Sequence, residues 1–253
     1  MNILAIETTG PFASVALINE NKDILEQNSQ RKLSHLQNLI PMVGNLLEKS
    51  QLQIDDITHI AVSEGPGSFT GIRIGMATAK ALAQTLNIPV IAVPTLKSFL
   101  WNVLDFNGIY CPIFDARRNQ VYAGAYYWKD GTYHQAVTDG AYQIEDFFSL
   151  VEVFDPNHEK QIMMFGDGLS VYKNAVEDWK NNAHRLSSKG DLSVIIAEEG
   201  VRYQKASSVG LLAYSLCKEG KIINYEELRP VYIRKPEAER KLEERKQREL
   251  KNE

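Results

Sequence analysis

The segment 2–29, NILAIETTGPFASVALINENKDILEQNS, predicts how the first half of this chain folds. It contains three short strand-like runs at 3–6, 12–18 and 24–29. Two turn sequences separate the runs, ETTGP at 7–11 and NENK at 19–22. Short strands joined by tight turns of this kind are typical of an antiparallel meander. We therefore expect three paired strands at the start of the chain.

Beyond this meander the hydrophobic period changes from two to about 3.6 residues, which predicts a helix from Ser34, a plausible N-cap. Its apolar positions are Leu36, Leu39, Ile40, Val43, Leu46 and Leu47. A buried strand at 57–62, a helix at 70–86, a strand at 89–93 and a helix at about 95–104 complete the first half. The predicted order is βββαβα, followed by one more strand and helix.

The second half repeats this order about 108 residues later, as the run 109–114 ends at Asp115 much as 3–6 ends at Glu7. Strands are predicted at 121–127, 132–137 and 161–165, and helices at 144–151 and 169–179. A duplicated βββαβα order is the plan of the α/β fold shared by actin, sugar kinases and Hsp70-type ATPases, which has two lobes. We expect that fold here.

The chain divides into five segments on this interpretation. Residues 1–104 form the first lobe and 105–206 the second, and an amphipathic helix at 207–218 returns to the first lobe. Residues 219–235 form a C-terminal segment. The last 18 residues, 236–253, carry six basic and six acidic side chains, and the sequence assigns no function to this charged tail.

Composition excludes several classes of protein. The formal net charge of −4 argues against binding nucleic acid across the whole surface by phosphate neutralisation. The first residues lack the basic region of a signal peptide, and no apolar run approaches the roughly 20 residues of a membrane span. Cys111 and Cys217 lack CxxC spacing and are expected to be small core residues. We expect a cytoplasmic protein.

The glycine-rich stretch 63–75, SEGPGSFTGIRIG, lies between a predicted strand and a predicted helix. Phosphate often binds backbone amides at such a loop, so Gly65 and Gly67, with Thr8 and Thr9 after the first strand, are candidate phosphate-binding residues. The stretch is not a GxxxxGK[ST] loop, and the lysine of that motif is missing. The second interpretation is that the glycines are needed only for a tight strand-to-helix turn, and the sequence leaves both interpretations open.

Small residues recur every four positions in the following helix, at Gly71, Gly75, Ala79 and Ala83. Glycine inside a helix costs about 1 kcal/mol relative to alanine, which indicates a neighbour that approaches closely. That neighbour is either a partner chain or this protein's own sheet or first helix. The spacing alone does not decide between them.

Residues suited to catalysis or metal binding are few. Glu7 occupies the position where nucleotide-binding members of the fold carry an aspartate that places Mg²⁺ and phosphate, and its extra methylene moves the charge forward. Asp115 is followed closely by Arg117 and Arg118, so charge neutralisation competes with metal chemistry there.

The five histidines form no HxxxH or HExxH pair, and Leu39 stands four positions after His35. They are His35, His59, His134, His158 and His184. The sequence therefore predicts neither a catalytic residue nor a metal site.

Five stretches carry a resemblance to a known family: LAIETT at 4–9, LSH at 33–35 with LIP at 39–41, SEGPGSFTGIRIG at 63–75, PTL at 94–96 and RPVYIR at 229–234. On these residues the sequence resembles the bacterial TsaB (YeaZ) family, which takes part in making threonylcarbamoyladenosine on tRNA. The second lobe contributes little to the match. Glu7 departs from the aspartate of many members, which weakens a Mg-nucleotide site within this subunit.

The resemblance implies a non-catalytic subunit that binds and activates a TsaD-type catalytic subunit. Together with a TsaE-type ATPase, that complex transfers threonylcarbamoyl to N6 of adenosine 37 in tRNAs reading ANN codons. This chain would contact tRNA indirectly, through the complex, and would form a homodimer when alone. No cofactor is expected in the isolated subunit, while a nucleotide at the partner interface stays open.

The resemblance also places the partner interface on the first two helices, at about 34–49 and 70–86. The implied contact residues are His35, Leu39, Val43, Gly71, Ile72, Gly75, Ala79 and Ala83. Two alternatives remain: an ATP-dependent phosphotransferase or ATPase of the same fold acting alone, and a metallopeptidase, a label used in the wider family. The missing lysine and the missing histidine pair count against them.

Overall fold

The computed structural model describes residues 1–29, 35–155, 161–186 and 193–234, and of 35–37 and 182–186 it describes the helical backbone but not the side chains. Ser34, His158 and the charged tail 236–253 lie outside the described residues, as do the side chains of His35 and His184. The predictions for these positions stay predictions.

The first sheet has five strands: β1 (Asn2–Glu7), β2 (Ser14–Asn19), β3 (Ile24–Asn28), β4 (His59–Gly65) and β5 (Val90–Pro94). Their order across the sheet is β3-β2-β1-β4-β5. The first three strands pair antiparallel, and β4 and β5 continue the sheet parallel to β1. The meander predicted from the turn sequences is present.

The second sheet repeats this arrangement with β6 (Gly108–Asp115), β7 (Gln120–Lys129), β8 (Thr132–Gln143), β9 (Gln161–Phe165) and β10 (Val194–Ile196). Its order is β10-β9-β6-β7-β8, which matches the first sheet strand for strand. The duplicated two-lobe α/β fold is therefore confirmed. The sequence did not predict β10, because three residues are too short to show a period.

The described helices are α1 (His35–Ser50), α2 (Phe69–Leu86), α3 (Thr95–Ser98), α4 (Ile144–Phe154), α5 (Gly168–Val171), α6 (Lys173–Leu186), α7 (Glu199–Arg202) and α8 (Ala206–Lys218). Short 3₁₀ turns cover Ile54–Asp56 and Phe99–Trp101. The helix expected at 169–179 is split into α5 and α6, because Tyr172 leaves the helical conformation.

Helices cover both faces of the first sheet. The apolar sides of α1 and α2 share one buried cluster with the sheet. On the other face, Val209, Leu212 and Ala213 of α8 pack against Ile3 and Ala5. The amide of Ala206 also donates to Ser14 Oγ at 2.8 Å. The last described helix thus lies on the first sheet, while the boundaries drawn between the lobes stay a prediction.

Two features join the halves of the molecule. Phe99, fully buried after α3, contacts Phe114 and Phe165 of the second sheet with ring centroids 5.6 and 5.5 Å apart. The C-terminal segment contacts both halves: the Val231 amide donates to the carbonyl oxygen of Glu64 at 2.8 Å, and Arg234 donates to that of Ala116 at 3.0 Å. Across the described ranges, no helix is both long enough and apolar enough to span a bilayer.

Candidate functional site

The carboxyl end of β1 holds Glu7, whose side chain is fully buried. Its Oε1 accepts hydrogen bonds from the backbone amide of Thr9 and from Thr9 Oγ1, the latter at 2.6 Å. Its Oε2 accepts from Ser63 Oγ at the end of β4. The carboxylate that would face a metal-bound phosphate in a nucleotide-binding relative of this fold is here engaged within the protein.

Burial raises the pKa of Glu7 above its usual value of 4.5, because a charged carboxylate loses its hydration inside the protein. Hydrogen bonds from Ser63, Thr9 and Gly10 favour the charged form and offset part of that effect. Glu7 is therefore a structural acid that holds the ends of β1 and β4 together.

The two threonines of the predicted phosphate site are also engaged internally. Thr8 Oγ1 donates to the carbonyl oxygen of Gly71 at 2.7 Å, and the Ser68 amide donates to the carbonyl oxygen of Thr9 at 2.8 Å. Thr8 and Thr9 are both buried. Both hydroxyl groups and the Thr9 amide donate hydrogen bonds within the chain, to Gly71 and Glu7. They therefore give the phosphate prediction no support.

The glycines of the predicted phosphate site have packing reasons of their own. A Cβ added at Gly67 would lie 2.6 Å from Thr9 Cβ, and one added at Gly65 would overlap the carbonyl oxygen of Val231. The Gly65 amide donates to Thr95 Oγ1 at 3.2 Å. The structure thus brings all four predicted residues together, but as a tight turn, which is the second of the two interpretations left open by the sequence.

The small-residue stripe of α2 faces this protein's own sheet. A Cβ at Gly71 would overlap the carbonyl oxygen of Thr8, and one at Gly75 would overlap Thr8 Oγ1. The close neighbour is therefore the end of β1. The molecule's own core covers the following predicted contact residues, so their burial gives the predicted partner contact no support: Leu39, Val43, Gly71, Ile72, Gly75, Ala79 and Ala83.

The opposite sides of α1 and α2 form an exposed surface, the outer α1–α2 face, made by Ile40, Gly44, Phe69, Ala77 and Ala81. Ile40 is 55% exposed and Phe69 is 41% exposed. A Cβ added at Gly44 would meet no described atom within 4 Å. Because α1 and α2 contact each other and share one core cluster, their outer sides adjoin.

A cluster of Phe69, Arg73 and Tyr232 adjoins this face at the start of α2. The Arg73 guanidinium lies 3.9 Å from the centre of the Phe69 ring, a cation–π contact. Arg73 Nε also donates to Tyr232 Oη at 3.2 Å. The ring centroids of Phe69 and Tyr232 are 5.2 Å apart. Sequence reasoning missed the cluster because Tyr232 is 159 positions from Arg73.

The equivalent strand end in the second half holds Asp115. Its Oδ1 accepts from the Arg117 amide at 2.8 Å, and its Oδ2 lies 3.7 Å from Arg117 Nε. Arg117 is highly exposed, so this ion pair is weak. Burial, with the nearby charge of Asp115, raises the pKa of Asp167 at the end of β9. Within the described parts of the chain, no three His, Cys, Asp or Glu side chains gather in a metal-binding arrangement.

The duplicated fold, with its first strand closed by a buried glutamate, places this chain in the actin, sugar-kinase and Hsp70-like class of proteins. A family model described as "TsaD: tRNA N6-adenosine threonylcarbamoyltransferase" matches residues 27–242. A Bacillus subtilis (strain 168) protein named tRNA threonylcarbamoyladenosine biosynthesis protein TsaB is 34% identical, over 95% of this chain and 97% of that protein.

An Escherichia coli (strain K12) protein of the same name is 30% identical, over 96% of this chain and 98% of its own length. A solved structure from Pseudomonas aeruginosa, described as having similarity to peptidase YEAZ, superposes with a TM-score of 0.73 and 25% identity, covering 92% of this chain and 99% of that one. The chain belongs to the TsaB family, and its role lies in tRNA threonylcarbamoyladenosine biosynthesis.

Proposed function

We propose that this chain is a non-catalytic subunit that binds and activates a TsaD-type catalytic subunit through the outer α1–α2 face. The partner transfers threonylcarbamoyl to N6 of adenosine 37 in tRNAs reading ANN codons, and tRNA reaches this chain through the complex. The observation that carries the proposal is Gly44, a helix glycine whose own fold supplies no close neighbour among the described atoms.

Gly44 differs in this respect from Gly71 and Gly75. Those two leave room for Thr8, so the protein's own packing accounts for them. Glycine in a helix interior costs about 1 kcal/mol relative to alanine. At Gly44 no contact within the described structure requires the absence of a side chain. A partner backbone that approaches α1 closely would explain it.

The surroundings of Gly44 fit a protein interface. Ile40 and Phe69 expose large apolar side chains. The small side chains of Ala77 and Ala81 leave room for another chain to approach the backbone of α2 closely. Arginine and aromatic residues are enriched where interfaces bind most tightly. Arg73, held between Phe69 and Tyr232, is therefore a suitable anchor at the rim of the face.

A non-catalytic role is supported by the strand end. The side chains of Glu7, Thr8 and Thr9 form hydrogen bonds with each other, with Ser63 and with the carbonyl oxygen of Gly71. Few polar groups at this strand end are therefore left to bind Mg-nucleotide in the isolated chain. We propose that it holds no cofactor by itself and that any nucleotide lies at the shared partner interface. A TsaE-type ATPase completes the assembly in this proposal.

The outer α1–α2 face can also serve self-association. A partner that shares this fold presents equivalent helices, so a heterodimer and a homodimer can use the same geometry. We propose that the chain dimerises through this face when alone and that the TsaD-type subunit displaces the second copy.

The test is co-purification of the full chain with a TsaD-type subunit, using Ala81→Arg as the variant. A charged side chain placed in a close contact should weaken binding at least about 30-fold, or about 2 kcal/mol. The matched control is Asn174→Arg, which adds the same charge to an exposed position of α6. Normal assembly by Ala81→Arg would contradict the assignment of the face.

Two further measurements address the remaining parts of the proposal. Cells depleted of this protein should lose threonylcarbamoyladenosine from tRNA, and Ala81→Arg should fail to restore it. Calorimetry of the isolated chain with Mg-ATP separates the proposal from a self-sufficient ATPase. Micromolar binding to the chain alone would favour the ATPase.

A further inference from the structure

Three side chains that can donate an electron pair to a metal lie together at the amino-terminal ends of β1 and β4, the end of the first sheet opposite Glu7. Met1 precedes β1, His59 begins the parallel strand β4, and Cys217 lies near the end of α8. Parallel pairing of Ile3 with His59 aligns the starts of β1 and β4. All three residues are partly exposed.

The spacing of the donor atoms suits a shared metal ion. Cys217 Sγ lies 3.6 Å from His59 Nε2 and 3.8 Å from Met1 Sδ. Metal–sulfur bonds of about 2.3 Å and metal–nitrogen bonds of about 2.0 Å put such donors roughly 3.5 to 4 Å apart. Cys217 Sγ therefore already lies at ligand spacing from each of the other two donor atoms.

Thr58 lies beside the imidazole of His59. Thr58 Oγ1 is 2.8 Å from His59 Nδ1, a hydrogen bond whose direction depends on the ring tautomer. With the proton on Nδ1, the ring donates to Thr58 and the lone pair of Nε2 points towards Cys217. A hydrogen bond at the second ring nitrogen is the usual support of a metal-binding histidine.

We propose that Met1 Sδ, His59 Nε2 and Cys217 Sγ form a binding site for the soft cation Cu(I). Thioether and thiolate sulfur select Cu(I), whereas protein sites for Zn²⁺ are built from cysteine, histidine and carboxylate. Binding releases the Cys217 thiol proton to solvent, forms the copper–thiolate bond and leaves copper in the same oxidation state. The site is distinct from the outer α1–α2 face and does not depend on the proposed function.

The test titrates the full chain with Cu(I) under anaerobic conditions against a chromogenic Cu(I) chelator. We expect one Cu(I) per wild-type chain and loss of that binding in Cys217→Ser and, independently, in His59→Gln. The matched control is His134→Gln, which removes an exposed histidine of the second sheet and should leave binding unchanged. Thermal unfolding checks that each variant is folded.

Two outcomes would overturn the proposal: Cu(I) affinity in folded Cys217→Ser equal to that of the wild type, or tighter binding of Zn²⁺ than of Cu(I). Thr58→Val adds a test of orientation. Removing an outer partner of a metal ligand should weaken Cu(I) affinity about 10- to 100-fold while the stoichiometry stays at one. Undiminished affinity in Thr58→Val would contradict the role given to the hydrogen bond between Thr58 and His59.

Discussion

At the scale of single residues, Glu7 shows how a fold can keep a carboxylate and change its use. The side chain reaches from β1 to Ser63 on β4 and back to Thr9 in the following loop. Each of its oxygens accepts from a donor of the chain itself. The residue that the sequence placed at a nucleotide position is thereby part of the first lobe's internal structure.

The titration of Glu7 gives the first prediction. Because burial raises its folded-state pKa above 4.5, the folded protein holds this proton more tightly than the unfolded chain. Its contribution to the free energy of unfolding is present below pH 4.5 and is lost as pH rises through the folded-state pKa. Glu7→Gln cannot titrate. The stability of the wild type relative to Glu7→Gln should therefore fall with rising pH.

Urea unfolding of both proteins at pH values from about 5 to about 8 measures this difference. The control is Glu48→Gln, which makes the same substitution at an exposed position of α1. The opposite result is a difference in free energy of unfolding between the wild type and Glu7→Gln that stays constant with rising pH or grows in favour of the wild type. That result would show that the pKa of Glu7 is not raised.

At the scale of elements, α1 and α2 use glycine for different reasons. In α2 the missing side chains at Gly71 and Gly75 let the helix approach Thr8 at the end of β1. In α1, Gly44 faces outward, and an added Cβ meets no described atom. All three glycines lie inside helices that the sequence predicts, and only the packing separates their roles.

Alanine substitution should separate these glycines by the sign of its effect. Gly44→Ala should stabilise the protein by about 0.5–1 kcal/mol, because alanine favours the helix and restricts the unfolded chain. Gly75→Ala should destabilise it by about 1–3 kcal/mol, because its Cβ overlaps Thr8 Oγ1 and lies 3.4 Å from Val62 Cγ2. Chemical unfolding of the two variants compares them directly, and an unchanged or higher stability of Gly75→Ala would argue against the packing described.

At the scale of the whole molecule, the C-terminal segment holds parts that are far apart in sequence. Leu228 is fully buried in the core shared by α1 and α2, although it lies outside the helices and strands. Ile223 exchanges backbone hydrogen bonds of 2.9 Å with Val90 in both directions. Val231 and Arg234 then connect the segment to β4 and to the end of β6.

Leu228→Ala should therefore lower the free energy of unfolding by about 2–5 kcal/mol through the cavity it leaves. The control, Val231→Ala, removes a side chain that is 46% exposed and should change stability by no more than about 0.5 kcal/mol. Thermal and chemical unfolding measure both. A small effect of Leu228→Ala would mean that the segment is dispensable for the core.

The helices and the loop of the candidate site were predictable from the sequence, because turn residues and helical periods are local signals. The placement of a partner interface on α1 and α2 came from the family resemblance and stays a prediction. The sequence could not tell which side of α2 faces inward, since small side chains fit a partner's backbone as well as their own sheet. Met1, His59 and Cys217 gave no signal, as 158 and 216 positions separate Cys217 from the other two.

The sequence by itself determined the duplicated order of strands and helices, since that order depends on alternation, helical period and turn chemistry within short windows. Only the tertiary structure decided that Thr8 fills the space left by Gly71 and that Glu7 is satisfied by Ser63. These pairs are 63 and 56 positions apart. Contacts at such separations depend on how β1, β4 and α2 pack, which no local pattern specifies.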